Sequence, residues 1–149
     1  MDVGDLFIEN YEGRICSIRF EKKLGSPSMS VSKEKSGIIC ETKKQLTEYF
    51  ERKRKVFDVP LNLSGTEFQL KVWEELRKIP YGETESYADI AKAIGNSKAV
   101  RAVGTAISKN PIPIIIPCHR VINSDGSIGG FSGGVRVKEK LLHLEEKWV

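Results

Sequence analysis

The spacing of apolar positions changes period once along the chain. In LFIEN (residues 6–10) and RICSIRF (14–20) apolar side chains recur at every second position, the period of a half-buried strand. The intervening YEG is a turn, so the two runs predict a hairpin with Cys16, Ile18 and Phe20 on one face. Residues 25–37, rich in Ser, Lys and Gly, predict a loop. A helix is expected from Glu41 to Lys53, carrying Leu46, Tyr49 and Phe50 at helical spacing. Its basic run RKRK (52–55) then complements the negative end of the helix dipole.

DVPLNLSG (58–65) reads as a connector, after which the spacing becomes helical. Thr66 and Gln69 form a T-x-x-Q capping box that opens TEFQLKVWEELRKIP, with Phe68, Val72, Trp73, Leu76 and Ile79 as its buried stripe. PYGE (80–83) breaks that helix. Two short helices follow: SYADIAKAI (86–94), closed by Gly95, and SKAVRAVGTAISK (97–109), closed by Asn110 and Pro111. Beyond IIIPCHRV (114–121), the turn NSDG and the glycine-rich IGGFSGG (128–134), a last helix is expected from Val137 to Lys147. Val137, Leu141, Leu144 and Trp148 make its apolar stripe, and Glu145 sits on the border of that stripe. These elements predict the α/β (α+β) class: an α/β domain over 1–58, a connector over 59–65, and a mainly helical domain over 66–149.

The composition, 40% hydrophobic and 30% charged over 149 residues, is that of a soluble globular protein with no biased tract. No apolar run approaches a membrane span, and the start MDVGDLFIEN is acidic, unlike a targeting peptide. A cytoplasmic protein with no membrane partner is expected. Cys16, Cys40 and Cys118 form no CxxC pair, and only His119 and His143 could join them. Neither a disulfide framework nor a zinc site is expected, and no cofactor is called for.

The net charge of +4 is modest, but its distribution is uneven. Five basic residues (Lys92, Lys98, Arg101, Lys109, Arg120) and no acidic one fall between positions 92 and 124. An anionic partner such as DNA and a solvated basic face both account for this. The two short helices joined at GNS resemble a helix-turn-helix. The second is lined with small residues (Ala99, Ala102, Gly104, Thr105, Ala106), which suits close approach to DNA and close helix packing equally. Among them Arg101 alone is long and charged.

IIIPCHRV sets a cysteine and a histidine side by side after an apolar run. A buried structural cysteine is the ordinary reading of a single Cys. Beside Cys118, however, His119 can supply a base, Arg120 a positive field, and Glu145 a carboxylate to orient the imidazole. Adjacent side chains point different ways, so a bridging water between His119 and the thiol is expected. These residues are compatible with a Cys–His–Glu hydrolase, a redox sensor or an alkyl acceptor.

NPIPIIIPCHRVINSDGSIGGFSGG and SYADIAKAIGNSKAVRAVGTAISKNP together resemble the O6-alkylguanine-DNA alkyltransferases, or methylated-DNA–protein-cysteine methyltransferases, over about residues 66–146. The resemblance implies a ribonuclease-H-like first domain and a helical, winged-helix-like second domain. It implies one irreversible transfer of an alkyl group from O6 of guanine in double-stranded DNA to Cys118, by a monomer that flips the nucleotide out from the minor groove. Glu145, His119 and a water then resemble the relay that takes the thiol proton, and Tyr87 the donor to N3 of the departing guanine. Asn110 resembles the asparagine that braces the active-site segment. Pro113, Val121, Phe131, Ser132 and Gly133 would line the base pocket. Arg101 would enter the base stack, Ala99, Ala102 and Gly104 would face the groove, and Lys98 would meet a phosphate. Phe131 departs from the tyrosine common in the family, which removes a hydroxyl and leaves stacking. Alkyltransferase-like lesion sensors share this architecture but lack the cysteine, so Cys118 points away from them.

Overall fold

The computed structural model describes residues 5–21, 30–31, 37–131 and 133–148. The chain divides into two compact units, Met1–Leu63 and Ser64–Val149.

In the first unit β1 (Asp5–Tyr11) and β2 (Arg14–Glu21) form the expected antiparallel hairpin. Its two turn residues, Glu12 and Gly13, both take positive φ (51° and 77°), the twist that a two-residue hairpin loop requires. The buried face is not the one alternation predicts. The register shifts at Glu9/Asn10, where Glu9 faces Ser17 and Asn10 faces Ile15, leaving Cys16 as the extra residue of a bulge. Ile15 and Ile18, three apart, therefore both reach the core, while Cys16 and Phe20 are only half-buried.

The Ser30–Val31 pair, inside the expected loop, forms β3 alongside β1 and completes a sheet of order β2-β1-β3. The rest of residues 25–36 lies outside the described residues. Helix α1 runs Gly37–Phe50, so RKRK begins just past its last residues, where Arg52, at φ 61°, donates to the Tyr49 carbonyl and Lys53 to the Glu48 carbonyl. Gln45 exchanges hydrogen bonds with the backbone of Asp58 (3.2 and 2.8 Å), and Ile15 pairs on both sides with Pro60 and Asn62. The start of the expected connector is thus fastened to β2.

The second unit begins with α2 (Glu67–Arg77). The Thr66–Gln69 capping box forms in both directions, at 3.1 and 3.0 Å. A Cβ on Gly65 would meet the Trp73 ring at 2.8 Å, so only glycine lets the chain enter this helix so closely. Helix α3 (Tyr87–Ala93) ends in a Schellman arrangement. Gly95, at φ 83°, donates to Lys92, and Asn96 donates to Ala91. Helix α4 (Val100–Ser108) has no side-chain N-cap and is held by packing against α2 and α3 through Val103, Ala106 and Ile107. The Trp73 indole, 2% exposed, donates to the Ala106 carbonyl at 2.9 Å. Truncating such a buried indole costs about 3–5 kcal/mol.

A parallel two-stranded pair, β4 (Glu85–Ser86) with β5 (Val121–Ile122), and the last helix α5 (Val135–Trp148) complete the unit. On α5, Leu141 and Leu144 are buried and Val137 is half-buried, while the side chain of Trp148 lies outside the described residues. Among the described residues no helix is long and apolar enough to cross a membrane.

Candidate active site around Cys118

The short β4–β5 pairing does the first part of the assembly. Ser86 lies opposite Ile122, so Tyr87, the next residue, starts α3 close to the 3-10 turn Cys118–Arg120 that leads into β5. Ser86 and Asp89 form a second capping box that fixes where α3 begins.

The second part is done by Asn110, buried just past α4. Its amide nitrogen donates to the Ile116 carbonyl (2.8 Å), and its amide oxygen accepts from the Ile112 N–H (2.9 Å). Ile112, Ile114 and Ile116 are all buried, and Ile116 N–H closes onto the Ile112 carbonyl at 2.9 Å. This over-determined loop holds Ile114 at φ 74°, a conformation that a β-branched residue adopts only at a cost of about 1–3 kcal/mol.

Cys118, 4% exposed, lines a cavity of about 470 Å³. Tyr87 forms one wall, Gly104, Ile107 and Ser108 of α4 another, and Gly130 and Phe131 a third. Gly129, at φ 74°, passes close to Tyr87, where an added Cβ would lie 3.1 Å from the phenol oxygen. Of the residues expected around a base, Phe131 is on this lining. Pro113, Val121 and Gly133 are buried and do not line it, and Ser132 lies outside the described residues. The opposite side of α4 borders a groove of about 630 Å³ lined by Lys98, Ala99, Arg101 and Ala102 together with Thr66 and Phe68. Lys98, Arg101 and Ala102 are exposed there, while Gly104 faces the cysteine cavity instead.

Behind the cysteine lies a buried ionic cluster. His119 Nε2 and Glu145 Oε2 are 2.5 Å apart, and Arg120 donates to both Glu145 oxygens, at 2.8 and 3.1 Å. Arg120 also donates to the Ile79 carbonyl (2.7 Å), and its cation lies 5.6 Å from the centre of the Tyr81 ring. Gly82 N–H adds a further bond to Glu145 at 3.2 Å. Burial alone would raise the Glu145 carboxyl, but the hydrogen bonds and charges of His119 and Arg120 outweigh it and hold the group down to about 2.

Burial likewise lowers His119, against the pull of Glu145, so the imidazole is neutral near pH 7. A neutral ring beside a carboxylate donates from Nε2. That leaves Nδ1, buried and without a hydrogen-bond partner, as the basic nitrogen. The Cys118 thiol is pushed up to about 11 by burial, opposed by the Asn110 side chain, the Lys138 charge and the backbone N–H groups of Cys118 and His119. In the resting site the proton therefore stays on sulfur, next to a neutral base whose charged form Glu145 is placed to stabilise.

Lys138 escaped the sequence reading. It lies on the inner face of α5, fully buried, with Nζ 2.5 Å from the Val121 carbonyl, 3.2 Å from the Gly130 carbonyl and 5.9 Å from the centre of the Tyr87 ring. The signal was its helical spacing with Leu141 and Glu145, since positions 138, 141 and 145 share one face. Among the described residues no group of three or more His, Cys, Asp or Glu side chains is placed to hold a metal ion.

Residues 67–147 match the family described as 6-O-methylguanine DNA methyltransferase, DNA binding domain, and residues 1–63 match its ribonuclease-like domain. The methylated-DNA–protein-cysteine methyltransferase of Methanosarcina acetivorans is 45% identical over 146 residues, which cover 96% of this chain and 92% of that protein. The constitutive methylated-DNA–protein-cysteine methyltransferase of Bacillus subtilis is 42% identical over 148 residues, covering 96% and 90%. Among solved structures, Mycobacterium tuberculosis OGT in complex with DNA aligns with a TM-score of 0.84 at 36% identity, covering 97% of this chain and 94% of that one.

Proposed function

Because the chain belongs to the 6-O-methylguanine DNA methyltransferase family, we propose that Cys118 is its alkyl acceptor, used once. The protein repairs DNA by moving a methyl group onto one of its own cysteines. The observation that carries the assignment is the position of Cys118 on a cavity large enough for a flat base, backed by a neutral histidine that is paired with a buried carboxylate.

The thiol proton passes to His119 Nδ1 through a bridging water, and Glu145 stabilises the imidazolium that forms. The sulfur lone pair then forms the S–C bond, while the electron pair of the breaking C–O bond stays on O6. Guanine leaves as an anion that takes up a proton at a ring nitrogen, with Tyr87 donating a hydrogen bond to N3. The product is a thioether with no carbonyl for water to attack, so the cysteine is not regenerated.

Substrate access follows from the same geometry. A base inside a duplex cannot reach a cysteine that is 4% exposed, so the nucleotide must be flipped out. Helix α4 enters the minor groove in this reading, which its small residues and Arg101 on the exposed side, with the cysteine cavity on the other, support. Arg101 fills the gap left in the stack, Lys98 meets a phosphate, and the protein acts as a monomer. Phe131 holds the flipped base by stacking alone.

A titration on an oligonucleotide containing O6-methylguanine tests this. Product equal to protein supports a single-use acceptor, and product that keeps rising beyond it would make the site a hydrolase.

A further inference from the structure

A lysine with no exposed surface is costly, because burial penalises its charge unless something inside compensates. Lys138 finds three such compensations: the Val121 carbonyl at 2.5 Å, the Gly130 carbonyl at 3.2 Å, and the face of the Tyr87 ring at 5.9 Å. Both carbonyls and the ring belong to segments that border the cysteine cavity, which Gly130, Tyr87 and Cys118 all line. We propose that Lys138 is a positioning residue for transfer: its ammonium clamps the Gly130 segment and the Tyr87 ring about the cavity and supplies the positive field that favours the Cys118 thiolate.

The surrounding charges support this assignment. Tyr87 faces the ammonium from α3, and Cys118 and His119 feel its charge from the 3-10 turn, while Arg120 is turned to Glu145, which follows two turns along α5. The segment Val121–Ile122 and residues 128–131 contribute no titratable group. The Glu145 carboxylate is bonded to His119, Arg120 and Gly82, and the charge that acts on Lys138 is that of the Cys118 sulfur. Burial lowers the lysine to about 8, and the cysteine raises it in return, so the two groups favour each other's charged forms. At pH 7 the lysine is still mostly protonated. The field is thus present where the reaction runs, and it fades above about pH 8.

The inference rests on Cys118 being the acceptor, so its test avoids DNA. Alkylation of Cys118 by iodoacetamide is followed against pH, by mass, in the unmodified protein and in Lys138→Gln, Lys138→Met and Lys138→Arg. Gln keeps a donor for the carbonyls without the charge, Met keeps neither, and Arg keeps the charge. Loss of the charge should slow alkylation at pH 7 on the order of tenfold, and the difference from the unmodified protein should shrink as the pH rises past about 8, where the lysine loses its own charge. Arg should restore most of the rate at pH 7. An unchanged rate at pH 7 in a folded Gln or Met variant would overturn the proposal. It would also be overturned if both neutral variants failed to fold while Arg folded, since the lysine would then serve the fold alone. Normal iodoacetamide profiles with no methyl transfer from DNA would instead count against the acceptor reading.

Discussion

The two units build their interiors from different materials. Among the described residues, the first buries Leu6, Ile8, Ile15, Ile18, Ile39, Leu46 and Tyr49, and its buried polar side chains are neutral, Thr42 and Gln45. The second buries Asn110, His119, Arg120, Lys138 and Glu145 among its apolar residues. Each buried charge costs several kcal/mol that partners must return, and an apolar interior of the same shape is often at least as stable. A core that only folds has no use for such groups. Four ionisable side chains set around one cysteine, His119, Arg120, Lys138 and Glu145, fit the transfer proposed for it.

Substitution at the sulfur breaks this contrast most sharply. Cys118→Ser should abolish transfer completely and still bind DNA containing the methylated base, as followed by gel retardation and product assay. Cys16→Ser and Cys40→Ser, in the other unit, should leave transfer unchanged.

Next in size is the cost of opening the ionic cluster. Arg120→Ala strips Glu145 of two hydrogen bonds and leaves a carboxylate buried, so chemical denaturation should show a loss of about 3–5 kcal/mol. No exposed arginine of the first unit should approach that figure. Arg19, paired with Glu9 on the surface, should cost less than about 1 kcal/mol when replaced by Ala.

Acid titration sharpens the same point. The folded-state carboxyl of Glu145 sits near 2 against an ordinary 4.5, so its contribution is complete above about pH 5 and disappears as the pH falls toward 2. The stability gap between the unmodified protein and Glu145→Gln should therefore close by about 3 kcal/mol over that window. His119 acts in the same direction. Its folded pKa is depressed, so the unfolded chain binds more protons below about 6.5 and acid weakens the fold from there downward.

The smallest stability effects belong to the exposed side of α4. Arg101→Ala should change stability by less than about 0.5 kcal/mol. Repair of duplex DNA should nevertheless fall strongly, while reaction with free O6-benzylguanine stays near normal, because a free base needs no flipping. Lys98→Ala should weaken binding and reduce the slope of log affinity against log salt by about 0.9, the loss of one phosphate contact. Equal losses on free base and duplex for Arg101→Ala would remove the finger role.

Much of this molecule was legible from local rules. Both the Thr66–Gln69 box and the Gly95 stop depend on interactions within a few residues, and the structure forms them where the sequence predicts. What stayed hidden depends on distant partners. The bulge at Cys16 is invisible to alternation, because the same letters pair in two registers until Glu9 and Ser17 face each other. Lys138 reads as a surface lysine in VKEK until the Val121 and Gly130 carbonyls close over it, and Arg120 reads as a field until α5 brings Glu145 to it. Val121, which the family resemblance sets at the base pocket, is buried, and its carbonyl accepts from Lys138.

The central claim is that one sulfur, chosen by its surroundings, takes the methyl group. Peptide mass mapping after reaction with methylated DNA tests it directly, since all three cysteines are free thiols. The peptide containing Cys118 should carry one added methyl group and those containing Cys16 and Cys40 none. A methyl group on Cys16 or Cys40, with Cys118 unmodified, would contradict the account.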